Sequence, residues 1–227
     1  PLVPREGEPV DHPHHIGLWY NYENVNGLDF WNNSSSIPAS KKMKYGTIRH
    51  FSINKMTVNN KNAELDVTAY WERPDGVKLL KQDTKYIFAG VGKERSIEMI
   101  VKLTALKLDV SFTDTKDGLI GLRLARELEQ PSDAPEKVTG ANGKVSPVRQ
   151  KNTGVATGLY RSSEGIQGDS VWGTRGRWVN LMGKLGSDPV SVVILDHPGN
   201  VGYPTYWHAR GYGLFAANPF GQKIFSK

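Results

Sequence analysis

Apolar and polar residues alternate along much of the chain. Across Ala63–Trp71, residues Ala63, Leu65, Val67, Ala69 and Trp71 would face one way, and Glu64, Asp66, Thr68 and Tyr70 the other. Ser96–Thr104 repeats the pattern with Ile97, Met99, Val101 and Leu103, and Leu106–Phe112 with Leu106, Leu108, Val110 and Phe112. A period of two predicts strands with one buried and one wetter face, as in the antiparallel sheets of a sandwich or barrel. Turn residues fall between the runs, at Pro74-Asp75-Gly76, Ala89-Gly90-Val91-Gly92 and Asp117-Gly118. The apolar run Val190–Leu195, interrupted only by Ser191, predicts a central strand covered on both faces. No segment holds a helical period over three turns. Gln130–Thr157, rich in Pro, Gly, Ser, Asn and Lys, reads as a long surface loop, because strand patterning resumes beyond it. The expected fold is all-β, a large antiparallel β-sandwich with one concave face, forming a single domain over residues 1–227.

Composition narrows the class. A chain of 227 residues with 38% hydrophobic and 23% charged residues is neither a fibre nor a disordered tail. No apolar run approaches the roughly 18–20 residues that cross a bilayer, so membrane insertion is not expected. Cysteine is absent, which excludes disulfides, thiolate metal sites and a cysteine nucleophile. The net charge of +6 comes from dispersed basic residues without nucleic-acid motifs, so no nucleic-acid partner is expected. A start at Pro1 reads as a processed or truncated product, pointing to the periplasm or another exported location, with the cytoplasm as the alternative.

Candidate chemistry collects in three places. In Asp11–Tyr20, DHPHHIGLWY, three of the six histidines lie within four positions. Extended, His12 and His14 would point one way and His15 the other. Such a pair could hold a divalent metal with a third ligand, or serve as acid and base near neutral pH. The second stretch, Asp196–Phe220, offers His197, His208, Arg210 and Asn218 among aromatics that include Trp207, a mixture suited to the apolar face and hydroxyl edges of a sugar. On a strand, His208 and Arg210 would share one face. The third is Leu122–Glu129, LRLARELE, which extended would put Arg123, Glu127 and Glu129 together, with Glu127 as acid or base and Arg123 tuning it, although helix competes locally because Leu, Arg and Glu favour it. Asp11-His12-Pro13 and Asp196-His197-Pro198 both open a D-H-P-x-x-x-G stretch followed by aromatics, Trp19 among them, as two loops meeting over one pocket would. Trp172, Arg175, Arg177 and Trp178 form a further aromatic and basic cluster, and Asn26-Gly27 a tight-turn pair. Walker, dinucleotide, G-x-S-x-G and H-E-x-x-H motifs are absent.

The stretches DHPHHIGLWYNYENVNGLDFWNNS, GLRLARE and DHPGNVGYPTYWHARGYGLFAANPFGQ resemble a bacterial family named PmoA-like, or methane oxygenase PmoA, along essentially the whole chain. Members are longer at the N-terminus, which implies that an initial strand region is missing here. Membrane methane monooxygenase subunits are rich in transmembrane helices, so methane oxidation is not expected of this sequence. The association of relatives with polysaccharide-degrading bacteria implies a carbohydrate setting. The chain also looks like the galactose mutarotase-like sandwiches, which implies a supersandwich or jelly-roll arrangement. By that likeness His12, His14 or His208 would be the acid and Glu127 the base.

These readings give a pocket lined by Asp11, Trp19, Arg123, Asp196, His197, Trp207, Arg210 and Asn218, with His12, His14, His15, Glu127 and His208 as candidate catalytic groups. The leading function is a carbohydrate-active protein that works on a sugar or modified glycoside by His/Glu acid–base chemistry. Its partner would be a small-molecule or oligosaccharide ligand, and no cofactor is fixed, a divalent metal being the candidate. One alternative is an oxygenase or lyase dependent on a divalent metal held by His12, His14 and His208 or Glu127. The other is a non-catalytic glycan-binding module.

Overall fold

The structure is a computed structural model and describes residues 6–10 and 14–221. Its strands are β1 (Leu18–Tyr22), β2 (Thr47–Val58), β3 (Asn62–Glu72), β4 (Lys78–Val91), β5 (Glu94–Ala105), β6 (Gly118–Arg123), β7 (Leu159–Ser162), β8 (Trp178–Leu185), β9 (Asp188–Leu195), β10 (Tyr206–Arg210) and β11 (Leu214–Asn218). Three short 3-10 turns are the only helical elements among the described residues. All sheets are antiparallel, as the alternating pattern predicts. None of the described helices is long and apolar enough to cross a membrane.

The chain divides into two compact units: Asn24–Phe112, and a second unit drawn from residues before and after that segment. The inserted unit is one sheet in the order β2-β3-β4-β5. Its register lines up Met56, Leu65, Tyr86 and Met99 on one face, and Lys55, Asp66 and Lys85 on the other. At one end the apolar face carries the register pair Trp71 and Leu80, with the Phe30 ring 4.9 Å from that of Trp71, all buried. Trp71 Nε1 donates to Gln82 Oε1 at 2.7 Å, so the buried indole is satisfied. Asn26 clasps the ends of this unit. Its backbone N–H donates to Ser111 O at 3.0 Å. Its Oδ1 accepts from Ser111 N at 2.7 Å, and its Nδ2 donates to Asp109 O at 2.9 Å. Asn26 takes a left-handed φ of 51°, which a short polar side chain tolerates.

The clasp corrects one expected strand. Leu106–Phe112 has the alternation, but it makes no ladder, only the isolated bridge Val25↔Phe112. Its backbone groups are spent on Asn26 instead.

The other unit is a two-layer sandwich. A four-stranded sheet, β1-β6-β11-β10, packs on the three-stranded sheet β7-β8-β9. Ile120, Leu122, Trp207, Ala209, Phe215 and Ala217 face Val179, Leu181, Val190, Val192 and Ile194. Val190–Leu195 is therefore an edge strand, contrary to the expectation of a central one. Its inward residues pack, while Val193 and Leu195 stay 45% and 73% exposed.

Leu122–Glu129 is also corrected. The strand stops at Arg123, and Arg126–Leu128 is a 3-10 turn closed by Leu128 N to Ala125 O at 2.8 Å. Arg123, Glu127 and Glu129 consequently share no strand face. Residues 130–157 form no strand or helix, as expected, yet they are tied down. Arg126 donates to the carbonyls of Gly7, Gln150 and Lys151. Asn152 donates to Glu129 Oε2 at 2.9 Å and to Gln130 O at 3.0 Å.

Candidate functional site

The unit with two sheets has a second face, away from its core. Register fixes its membership. Trp19, Gly121, Ala216 and His208 stand in one row across β1, β6, β11 and β10. Arg123, Leu214 and Arg210 form another row on the same face. Since Trp207 and Ala209 point into the core, His208 and Arg210 point away from it.

Small residues in the middle of the first row leave room above the sheet. The Trp19 ring fills part of it: a Cβ added to Gly121 would lie 2.5 Å from that ring. His15, 4% exposed, stacks on Trp19 with centroids 4.5 Å apart and planes 6° apart. His14 meets His15 edge-on at 4.1 Å.

At the other end of the row His208 is 3% exposed. Its Nδ1 lies 3.3 Å from Asp117 Oδ1. Asp117 sits just before β6 and is also held by Lys116, whose Nζ donates to Oδ2 at 2.6 Å. Asn218, fully buried, donates to Thr115 O at 2.6 Å, and Thr115 Oγ1 donates to the Glu23 carboxylate. These bonds fix the backbone that carries Asp117. Burial drives the His208 pKa down to about 4, against the pull of Asp117 and with help from the positive charges of Lys116 and Arg210. The imidazole is thus neutral at pH 7. A neutral imidazole against a fixed carboxylate can accept a proton, and the carboxylate then stabilises the imidazolium.

Trp172 flanks this pair, its ring centroid 6.4 Å from that of His208. Arg210 lies over Trp172 at 5.1 Å and near the Tyr212 ring at 5.7 Å. Arg123 lies 5.5 Å from the same Tyr212 ring, and its Nη1 donates to Tyr212 O at 2.9 Å.

The sequence candidates thus separate. Trp19, His15, Arg123, His208 and Arg210 belong to one sheet face or lie on it, with His14 against His15. Trp207 is core: fully buried, it donates its Nε1–H to Gly176 O at 3.0 Å and cannot contact a ligand. Asn218 positions the Asp117 segment. Asp196 accepts from Asn200 Nδ2 at 2.8 Å and Thr205 N at 2.9 Å, and His197 Nδ1 accepts from Gly199 N at 3.0 Å. Both shape their own loop. Glu127 sits on the 3-10 turn beyond the strand. Asp11 and His12 lie outside the described residues, so the two-loop reading of the D-H-P stretches does too. Among the described residues no three His, Asp or Glu side chains come together to hold a metal ion. A set of His14, His208 and Glu127 is therefore not assembled.

Sequence reasoning missed Asp117, which it took as a turn residue. Nothing local marks it, because its partner His208 is 91 positions further along the chain (208 − 117).

The chain belongs to a family of unknown function, DUF6807, whose family model matches residues 3–227. No curated protein and no solved structure matches it.

Proposed function

We propose that the chain is a carbohydrate-active enzyme that moves a proton to and from a sugar or modified glycoside, with His208 as the proton-carrying group. The observation that carries this reading is the buried, neutral His208 held against Asp117 on the sheet face shared with Arg210, beside Trp172. Asp117 takes the place expected of Glu127, since it is the carboxylate that faces the imidazole. It steadies the imidazolium formed when His208 takes a proton, while Lys116 donates to its other oxygen. Aromatic planes beside polar groups suit a ligand with an apolar ring face and hydroxyl edges.

The test is proton exchange. Sugars and keto-glycosides are incubated with the protein in deuterated water, and loss of a carbon-bound proton is followed by NMR. The reading expects exchange by the wild type and a loss of about 10²–10⁴-fold in a folded His208→Gln variant, the usual contribution of general acid–base catalysis. Equal exchange by the variant, or none by the wild type across the panel, refutes it.

A further inference from the structure

Arg210 stands two residues from His208 on the same strand face, roughly 6.6 Å along the strand. It is half-buried, and its guanidinium lies against the rings of Trp172 and Tyr212. No described carboxylate comes within 4.0 Å of it, and its side chain makes none of the hydrogen bonds found among the described residues. The nearby acid, Asp169, is exposed and accepts instead from Gln130 Nε2 at 2.7 Å.

Other arginines of the chain are treated differently. Arg126 reaches three carbonyls, Arg175 donates to Pro204 O and Gly202 O, and Arg49 pairs with Glu72 at 2.9 Å. Arg123, one row partner of Arg210, spends only Nη1 on Tyr212 O, and its Nη2 is buried without a hydrogen-bond partner. Two guanidinium groups therefore flank Tyr212 with unspent donors and no counter-charge. Withdrawing such groups from water without a partner is costly, and a planar fork of N–H donors matches a carboxylate in two parallel bonds.

We propose that the ligand of the His208 face is acidic, a uronate-type sugar whose carboxylate binds Arg210, with Arg123 adding positive charge from the other side of Tyr212. The strand spacing sets the carboxylate about one sugar ring away from the imidazole, so the acid group would anchor the ring while His208 handles its proton. This inference rests on the carbohydrate reading above and names its substrate class.

The test compares D-glucuronate and D-galacturonate with D-glucose and D-galactose, and with acetate and inorganic phosphate, by titration calorimetry at pH 7. The expected result is uronate binding at least tenfold tighter than the matching neutral sugar, weakened by added salt. In Arg210→Gln it should fall at least tenfold, with partial recovery in Arg210→Lys; thermal melts establish that both variants are folded. Neutral sugars binding as tightly as uronates would overturn the acidic-ligand inference and leave the carbohydrate reading standing. Acetate and phosphate binding as tightly as uronates, with the same dependence on Arg210, would overturn the uronate assignment and count against the carbohydrate reading. Absence of any uronate binding, or binding indifferent to Arg210, also overturns it.

Discussion

Glu129 gives the sharpest quantitative expectation. Its side chain is 1% exposed, and burial pushes its pKa from 4.5 up to about 7, with Glu136 and Glu8 adding to the rise. The Asn152 hydrogen bond and the charge of Arg126 pull the other way but are outweighed. The folded state therefore holds this proton more tightly than the unfolded chain does. As pH rises from 4.5 toward 7, the unfolded chain gives up the proton first, so the contribution of Glu129 to stability is full below 4.5 and lost through that window. A shift of 2.5 units (7 − 4.5), at about 1.4 kcal/mol per unit, corresponds to about 3 kcal/mol. Glu129→Gln keeps the shape and an acceptor for Asn152 while removing the titration. Urea unfolding of both proteins from pH 4 to 8 should show the variant gaining about 3 kcal/mol on the wild type across that window. His208 works in the opposite sense, its contribution being lost as pH falls from 6.5 toward about 4. It is common to both proteins and drops out of the difference. A difference independent of pH, or one favouring the wild type as pH rises, would refute the reasoning.

Three further outcomes follow from the packing. Gly121→Ala forces the Trp19 ring off the sheet and should cost about 1–3 kcal/mol with a change in near-ultraviolet dichroism, so an unaltered melt and spectrum would contradict the close approach. Asn26→Ala removes three side-chain hydrogen bonds and the residue best suited to the left-handed turn, which should destabilise by about 2 kcal/mol in thermal unfolding. No loss would show that the clasp carries no load. Arg126→Met leaves the carbonyls of Gly7, Gln150 and Lys151 without their donor, so trypsin should cut within residues 130–157 several-fold faster than in the wild type. An unchanged cleavage rate would mean that the segment is held by other contacts.

The parts of the fold legible in the sequence are those where one residue's neighbours decide its state. Ala63–Trp71 and Ser96–Thr104 lie within the strands β3 and β5, because the alternating apolar side reports a sheet face directly. Leu106–Phe112 alternates as well, but Asn26, some 80 residues earlier, takes its backbone groups. Val190–Leu195 is apolar on both sides, yet a sequence does not reveal that only one side finds a partner sheet. The pairing of His208 with Arg210 on one face was readable from their i, i+2 spacing. The Asp117 carboxylate was not, since its role comes from the register of β6, β11 and β10 rather than from its neighbours. Trp207 shows the converse: beside a ligand-type histidine in sequence, it lies on the opposite face of the same strand.

The position of the inserted unit bears on how the chain reaches this structure at all. Strand β1 pairs with β6, and Leu18 meets Leu122 across 104 positions (122 − 18). On a growing chain β1 emerges long before its partner exists. Closing so long a loop from a disordered state is slow, because the entropy is lost before any contact repays it. The inserted sheet consists of successive hairpins, β2 to β3 to β4 to β5, whose contacts are local and can form early. Once it has formed, the Asn26 clasp brings the two ends of the insertion side by side, through Val25 and Phe112. The long loop then acts as a short one, and β1 is presented to β6 as in an ordinary hairpin. The clasp thus sets the effective loop length between β1 and β6 far below the 104 positions that separate Leu18 from Leu122 (122 − 18).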